Sequence, residues 1–153
     1  MGVAFLKFVV ELVLCATFLA LLEIQIEGPH GWAAELPTWR IENRWTRLFN
    51  DGRPLTGYHL YLNLFLLAMA HMVYAVDATV PFARTELEIF AFLILLFVLE
   101  DWLWFVLNPA YGLRKFRRED VWWHARYWWW IMPRYYWLLT PLGLALYWVS
   151  WTV

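Results

Sequence analysis

Several side chains with acid–base or metal-binding chemistry lie near the ends of long apolar segments of this chain. Glu23 and Glu27 are four residues apart and so share one face of a helix, and Glu100 is followed directly by Asp101. Carboxylates and imidazoles that meet in a low-dielectric site pair with arginines, share protons or bind a metal ion whose charge offsets their desolvation. We therefore predict a divalent metal site, for Zn or Fe, that holds one ion or two ions bridged by carboxylates.

The predicted site draws its donors from three apolar segments and both long loops. The predicted metal ligands are Glu23, Glu27, His59, Glu100 and His124. Asp101 is predicted as a further ligand or as the catalytic general base. Asn63 and His30 are predicted to contact the ligands without binding the metal themselves. Glu27 and His30 have the Glu-x-x-His spacing of four-helix di-metal proteins, although the intervening Gly-Pro keeps them off a regular helix.

Other interpretations of these residues stay open. Glu23 and Glu27 would instead be structural if they paired with Arg40, Arg44 or Arg126. A second polar set lies nearer the opposite ends of the apolar segments and consists of Glu11, His71 and Glu88. The two sets together would outline a path for protons or ions. Haem bound by two histidines is not expected, since His71 has no second histidine at its depth, and no nucleotide-binding motif occurs.

Only a membrane protein would position these side chains in this way. Of the 153 residues, 63% are hydrophobic and 16% are charged, against roughly 45–50% and about 25% in soluble domains. This composition excludes intrinsic disorder, collagen-like repeats and a disulfide scaffold, and the single Cys15 can form no intrachain disulfide. We expect one transmembrane domain over residues 1–153.

Four windows are long and apolar enough to cross a bilayer as helices, which takes about 20 residues. They cover residues 3–26, 58–76, 87–107 and 135–151. They predict an all-α, integral membrane four-helix bundle. The first window is expected to stay in the protein rather than to be cleaved as a signal peptide, because Glu11 interrupts its apolar run and no A-x-A site precedes Gly28.

Basic residues collect in two loops, and they set the predicted orientation. Four of the twelve Lys and Arg residues lie between the first and second helices, and six lie in or at the end of the loop between the third and fourth. The positive-inside rule makes both loops cytoplasmic and leaves both termini outside. The predicted metal site then falls at the cytoplasmic interface.

Both loops are predicted to carry helices that lie in the membrane interface. Apolar residues recur at a near-helical period over residues 38–49, which predicts an amphipathic helix capped by Thr38. Residues 121–130 are aromatic on all sides, which favours a second interfacial segment between the bundle and lipid. Nine of the 13 Trp residues lie in or beside these loops. They predict a one-sided aromatic collar around the level of the acids and histidines.

Two segments, LLEIQIEGPHGWAAELPTWR and LEDWLWFVLNPAYGLRKF, resemble a family of small prokaryotic multi-pass membrane proteins. The resemblance covers the first loop and the end of the third helix. It implies a protein of a prokaryotic inner or plasma membrane. It implies no activity and assigns no role to any residue.

The leading functional hypothesis is a membrane-embedded metalloenzyme that acts on a lipid-like substrate, because its site would open at the level of the lipid headgroups. Metal-activated water attacking an ester or phosphoester is one option, and oxidation at a di-iron centre is the other. A small proton or cation transporter or channel subunit is the first alternative. A structural subunit of a larger membrane complex or homo-oligomer is the second. Nucleic-acid binding is not expected, and Ser150 as the only serine argues against a serine hydrolase.

Overall fold

The computed structural model describes residues 2–50 and 52–153, apart from the side chains of Arg47 and Phe49, and it is mostly helical. The helices are α1 (Gly2–Glu27), α2 (Arg44–Phe49), α3 (Gly57–Ala70), α4 (Val73–Val76), α5 (Phe82–Leu107) and α6 (Arg134–Val149). Two short antiparallel ladders join β1 (Arg40–Ile41) to β2 (Leu55–Thr56) and β3 (Trp128–Trp129) to β4 (Met132–Pro133). The prediction of an all-α protein is confirmed at this level.

Three helical segments are long and apolar enough to cross a membrane, and they match three of the predicted windows. They are α1, the continuous stretch Gly57–Val76 that contains α3 and α4, and α5. The fourth window forms α6, whose 16 residues span about 24 Å at 1.5 Å per residue. Sixteen residues are fewer than the roughly 20 of a typical crossing helix. That α6 crosses a membrane therefore stays a prediction.

Helix α5 is the centre of the fold, with α1 on one side and α6 on the other. An apolar cluster that includes Leu12, Ala16, Leu93 and Leu96 joins α1 to α5. The approach of α6 to α5 is close at Gly143, where an added Cβ would lie 2.7 Å from Leu95 Cγ. A glycine there allows the two backbones to pack tightly.

Helix α3 lies at the edge of this layer. Its partly buried Leu62, Leu66 and Leu67 pack against the α1–α5 cluster, but only Gly57 of its fourteen residues is buried. The helix ends at Ala70, next to His71, whose Nδ1 lies 2.7 Å from the carbonyl oxygen of Leu67, and α4 begins at Val73 after two intervening residues. Most of the α3 surface therefore faces outward.

The loops 28–56 and 108–133 lie at one end of the helices, named here the two-loop end. In the first loop the predicted helix over residues 38–49 is replaced by β1 and the shorter α2. The cap is Asn43, not Thr38, because Asn43 accepts from the backbone N–H of Thr46 while the Thr46 hydroxyl accepts from the Asn43 N–H. This reciprocal capping fixes the start of a six-residue helix.

The second loop holds no α-helix between Leu107 and Arg134, so the predicted interfacial helix is wrong for this loop. It contains two short 3-10 turns, Leu113–Lys115 and Ala125–Tyr127, and the β3–β4 hairpin. Val121 and Trp123 are buried, whereas Trp122 between them is exposed. A segment with aromatic residues on all sides has no single apolar stripe for a helix to bury, and here the chain buries Val121, Trp123 and His124 without helical spacing.

Candidate functional site

A cavity of about 410 Å³ opens at the two-loop end between the helices and the first loop. Its polar lining comprises Glu23, Glu27, Asn50, Arg53, His59, Asn63, Glu100, Asp101 and Tyr135. Its apolar lining comprises Trp32, Leu62, Phe97, Trp104, Trp123 and Leu139. The volume lies within the range of about 300–1,000 Å³ that small-molecule sites occupy.

The last two turns of α1 supply Glu23 and Glu27, both buried. Their spacing of four residues places them on one face, as the sequence predicts. The Tyr58 hydroxyl donates to Glu23 Oε1 across 3.2 Å. Glu27 Oε1 lies 3.5 Å from His59 Nε2, so the end of α1 and the first turn of α3 face each other across the cavity.

The imidazole of His59 is held from two sides. Its Nδ1 lies 2.6 Å from Thr56 Oγ1, and its ring stacks on Trp32 with centroids 4.0 Å apart. With the proton on Nε2 the ring donates toward Glu27, and with the proton on Nδ1 it donates to Thr56 and leaves the Nε2 lone pair facing Glu27. The second form is the one that a metal-binding histidine takes, since such histidines usually donate their second ring N–H to a protein acceptor.

Glu100 is a buried carboxylate that lies within hydrogen-bonding reach of the Glu23 side chain. Its side chain is only 7% exposed, and Oε1 has no hydrogen-bond partner among the residues that the structure describes. When ionised, the carboxylates of Glu27 and Asp101 repel Glu100, and so does that of Glu23, with which it shares the hydrogen bond. A buried carboxylate oxygen without a donor is costly unless a cation or proton reaches it.

Asp101 lies beside Glu100 and has partners from the second loop and from α6. Its Oδ1 lies 3.3 Å from Nε2 of His124, whose side chain is 1% exposed, and its Oδ2 accepts from the Tyr136 hydroxyl. His124 is not in the cavity wall. It lies behind Asp101 and orients that carboxylate, which leaves Asp101 as the group that faces the cavity.

The turn after α1 has unusual backbone geometry. Gly28 and Gly31 have positive φ, and so do the non-glycine residues Trp32 (φ 49°) and Ala33 (φ 50°). Each non-glycine residue in this region costs roughly 1–2 kcal/mol, and such strain concentrates at functional sites. Glu27 Oε1 accepts from the Ala33 N–H at 2.5 Å, and Asn108 Nδ2 donates to the Gly28 carbonyl at 3.0 Å. These bonds hold the turn and bring Trp32 into the cavity wall.

Arg53 is the only lysine or arginine in the cavity wall among the described side chains. Its guanidinium carbon lies 3.7 Å from the ring centroid of Trp32 and 5.9 Å from that of Tyr135. Its Nε donates to the carbonyl of Asn50 at 2.9 Å. The cavity thus contains four carboxylates and a single stacked guanidinium.

Aromatic rings form the floor beneath the cavity. Trp104 and Trp123 line it, and Phe105, with 1% exposure, stacks on Trp123 with centroids 5.6 Å apart. Tyr111 joins this cluster from the second loop. Burial is the main cause that raises the pKa of its hydroxyl, and the charges of Asp120 and Glu27 raise it further. Of the nine tryptophans predicted to form the collar, Trp123 is buried in this cluster and Trp32 and Trp128 pack against it. The other six are exposed, namely Trp39, Trp45, Trp122, Trp129, Trp130 and Trp137.

The structure brings most of the predicted site residues together. Glu23, Glu27, His59, Asn63, Glu100 and Asp101 all line the cavity. His30 lies outside it, with Nε2 at 3.1 Å from Glu35 in an exposed pair. The proposed pairing of Glu23 and Glu27 with arginines is not observed within the described part of the chain. Arg40 instead donates to loop carbonyls, including that of Ala33.

The structure does not bring the second predicted set together. His71 Nε2 lies 3.4 Å from Glu86, while Glu88 pairs with Arg84 at 2.9 Å. Glu11 is exposed. Because α5 begins at Phe82, five residues before the predicted start, Glu86 is part of the helix, and it is the residue that contacts His71.

As placed, the side chains of residues 2–50 and 52–153 form no group of three or more His, Cys, Asp or Glu residues close enough to hold a metal ion. The donors around the cavity meet in pairs instead, as in Glu27–His59. No family model, no curated protein and no solved structure matches this chain. The functional argument therefore depends on the cavity and its lining.

Proposed function

We propose that the protein is a membrane-embedded metalloenzyme whose cavity at the two-loop end binds a divalent metal ion, Zn or Fe, and acts on a lipid-like substrate. The observation that carries this proposal is the convergence of four carboxylates and His59 on one cavity, in which the buried Glu100 Oε1 has no hydrogen-bond partner among the described side chains. Among the described side chains Arg53 is the one lysine or arginine in a wall that holds four carboxylates. A divalent cation would offset the desolvation of the carboxylates that are ionised there.

The spacing between the donors supports a metal ion. The 3.5 Å between Glu27 Oε1 and His59 Nε2 is long for a charge-assisted hydrogen bond of roughly 2.7–2.9 Å. It is close to the separation of about 3.4 Å between two ligands of a tetrahedral ion with bonds of about 2.1 Å. Glu23 and Glu100 complete the proposed set from α1 and α5. His124, assigned as a ligand from the sequence, is now proposed to orient Asp101.

Within this set, Asp101 is proposed as the general base. It faces the cavity with both oxygens already engaged, by His124 and Tyr136, so its orientation is fixed. A fixed carboxylate beside a metal-bound water can accept a proton from that water during hydrolysis. The ion would supply the Lewis acid, and the chain would supply the base and the dry aromatic walls.

We further propose that α6 crosses the bilayer with the three longer segments, so that the protein is a four-helix bundle in a prokaryotic inner or plasma membrane. The exposed Leu138, Leu142 and Trp148 on α6 support this placement. The ten basic residues of the two-loop end favour the cytoplasmic side for both loops and an external position for both termini. The cavity would then open at the depth of the lipid headgroups.

A path for protons or ions through the bundle has less support. The region between the two polar ends is filled by apolar side chains, among them Leu12, Leu19, Ile89 and Leu93. A relay needs titratable groups or water along its length. The polar residues at the far end pair locally with one another, as in Arg84–Glu88.

The test is the metal content of the purified full-length protein, measured beside Glu100→Ala and the matched control Glu11→Gln, which alters an exposed carboxylate at the opposite end. We expect a stoichiometric divalent metal in the wild type and in Glu11→Gln, and its loss in Glu100→Ala. Turnover of ester or phosphoester lipids should stop on chelation and return with the metal. A wild-type protein without stoichiometric metal after incubation with Zn²⁺ or Fe²⁺ would overturn the proposal.

A further inference from the structure

We infer that Arg53 is a binding site for the phosphate group of a phosphorylated lipid, which makes a phosphoester the substrate class of the cavity. The catalytic role of this binding site rests on the proposed function. The binding site itself is defined by Arg53, Trp32 and the cavity that they share. It selects hydrolysis of a phosphoester rather than oxidation as the chemistry.

The guanidinium of Arg53 has free hydrogen-bonding capacity. An arginine presents five N–H donors, and in the described structure only the Nε donor is used, by the Asn50 carbonyl. Although four carboxylates line the same cavity, none lies within ion-pair distance of Arg53 among the residues that the structure describes. The two terminal nitrogens are therefore available to an anion that enters from outside.

The position of this guanidinium is fixed by stacking. Its carbon lies 3.7 Å from the ring centroid of Trp32. The Trp32 indole is itself held, because its Nε1 donates to the Pro54 carbonyl at 3.0 Å and its backbone is in the left-handed region. A stacked guanidinium loses little further entropy when it binds a planar or tetrahedral oxyanion through two parallel N–H bonds.

The composition of the cavity points to an amphiphilic phosphate. The positive charge of Arg53 would attract a phosphoryl group, and a metal ion bound at the proposed site would add to that attraction, as basic side chains and metal ions do in phosphoryl-transfer sites. Leu62, Phe97 and Leu139 supply an apolar portion of the wall. A free phosphate ion gains nothing from contact with that surface, whereas the glycerol and first acyl carbons of a lipid can pack against it.

The test uses the full-length protein in a mild detergent and three probes: dihexanoyl phosphatidic acid, inorganic phosphate and dihexanoylglycerol. Binding is followed by isothermal titration calorimetry, with Zn²⁺ and with chelator. The variants are Arg53→Gln and Arg53→Lys, and the matched control is Arg118→Gln, which alters another arginine of the two-loop end. Metal content and the thermal midpoint are measured on the same preparations.

We expect the wild type and Arg118→Gln to bind dihexanoyl phosphatidic acid at least about tenfold more tightly than either other probe. Arg53→Gln should lose about tenfold or more of that affinity. Arg53→Lys retains the charge but lacks the two parallel N–H donors, so its affinity should lie between those of Arg53→Gln and the wild type. Equal binding by folded Arg53→Gln or folded Arg53→Lys and the wild type would overturn the inference. Equal binding of inorganic phosphate would overturn the assignment to a lipid.

The outcomes separate this inference from the proposed function. A wild type that holds stoichiometric metal but binds phosphatidic acid no better than dihexanoylglycerol would overturn the phosphate site and leave the metal site standing. Binding of phosphatidic acid that depends on Arg53 in a protein without metal would support the phosphate site and overturn the metalloenzyme.

Discussion

The turn that carries Trp32 gives a sharp prediction through its neighbour Gly31. Gly31 has φ +62°, and a Cβ built on it would lie 2.6 Å from Trp123 Cη2. Trp123 is 4% exposed and is held between Phe105 and Trp104, so its ring has little room to move. Gly31→Ala should therefore destabilise the protein through two independent effects, one in the backbone and one in packing.

The size of each effect follows from the geometry. The left-handed backbone costs an alanine roughly 1–2 kcal/mol, and overpacking against a fixed ring costs roughly 1–3 kcal/mol. The expected loss for Gly31→Ala is thus about 2–5 kcal/mol. Gly28→Ala is the matched control, because Gly28 has φ +63° but no atom within 4 Å of its added Cβ. It should lose only the backbone part, about 1–2 kcal/mol.

The measurement is thermal unfolding of both variants in the same detergent, followed by circular dichroism. With roughly 2–4 °C per kcal/mol for a chain of this size, Gly31→Ala should melt at least about 2 °C below Gly28→Ala. Trp123→Phe in the Gly31→Ala background should recover part of the packing loss. Equal midpoints for the two alanine variants would refute the contact between the turn and Trp123.

Three further perturbations have defined outcomes. Thr56→Val removes the hydroxyl that orients His59, so Zn²⁺ affinity by titration calorimetry should fall about 10–100-fold; an unchanged affinity would exclude His59 as an oriented ligand. Gly143→Ala places a Cβ against Leu95 and should cost about 1–3 kcal/mol in chemical unfolding, with partial recovery in a Leu95→Val background. Phe105→Ala empties the centre of the aromatic floor and should cost about 3–5 kcal/mol, whereas a loss below about 1 kcal/mol would contradict that placement.

The helices and the level of the site could be predicted because both depend on long-range patterns in the sequence. Apolar length alone located α1, Gly57–Val76 and α5 to within a few residues. Once those helices alternate in direction, Glu23, Glu100 and His59 must come to the same end. No contact between side chains had to be known for that step.

The cavity wall contributed by the first loop could not be predicted, because its signals are local and irregular. Trp32 adopts a left-handed backbone that tryptophan rarely takes, so nothing in its residue type indicates a turn or a stacking partner. In the sequence Arg53 is one of four basic residues in the first loop, and nothing in its spacing indicates that it stacks on Trp32. The Asn43–Thr46 capping box was a readable signal that would have shortened the predicted helix.

Helix α3 has few buried residues, and that has a consequence for how the cavity responds to its surroundings. In the proposed membrane placement, acyl chains would cover the outer surface of the helix that carries His59 and Asn63. The lateral pressure of the bilayer would then press this helix toward α5 and set the width of the gap. Lipid thickness and packing would act on the site directly, much as a ligand acts on an allosteric protein.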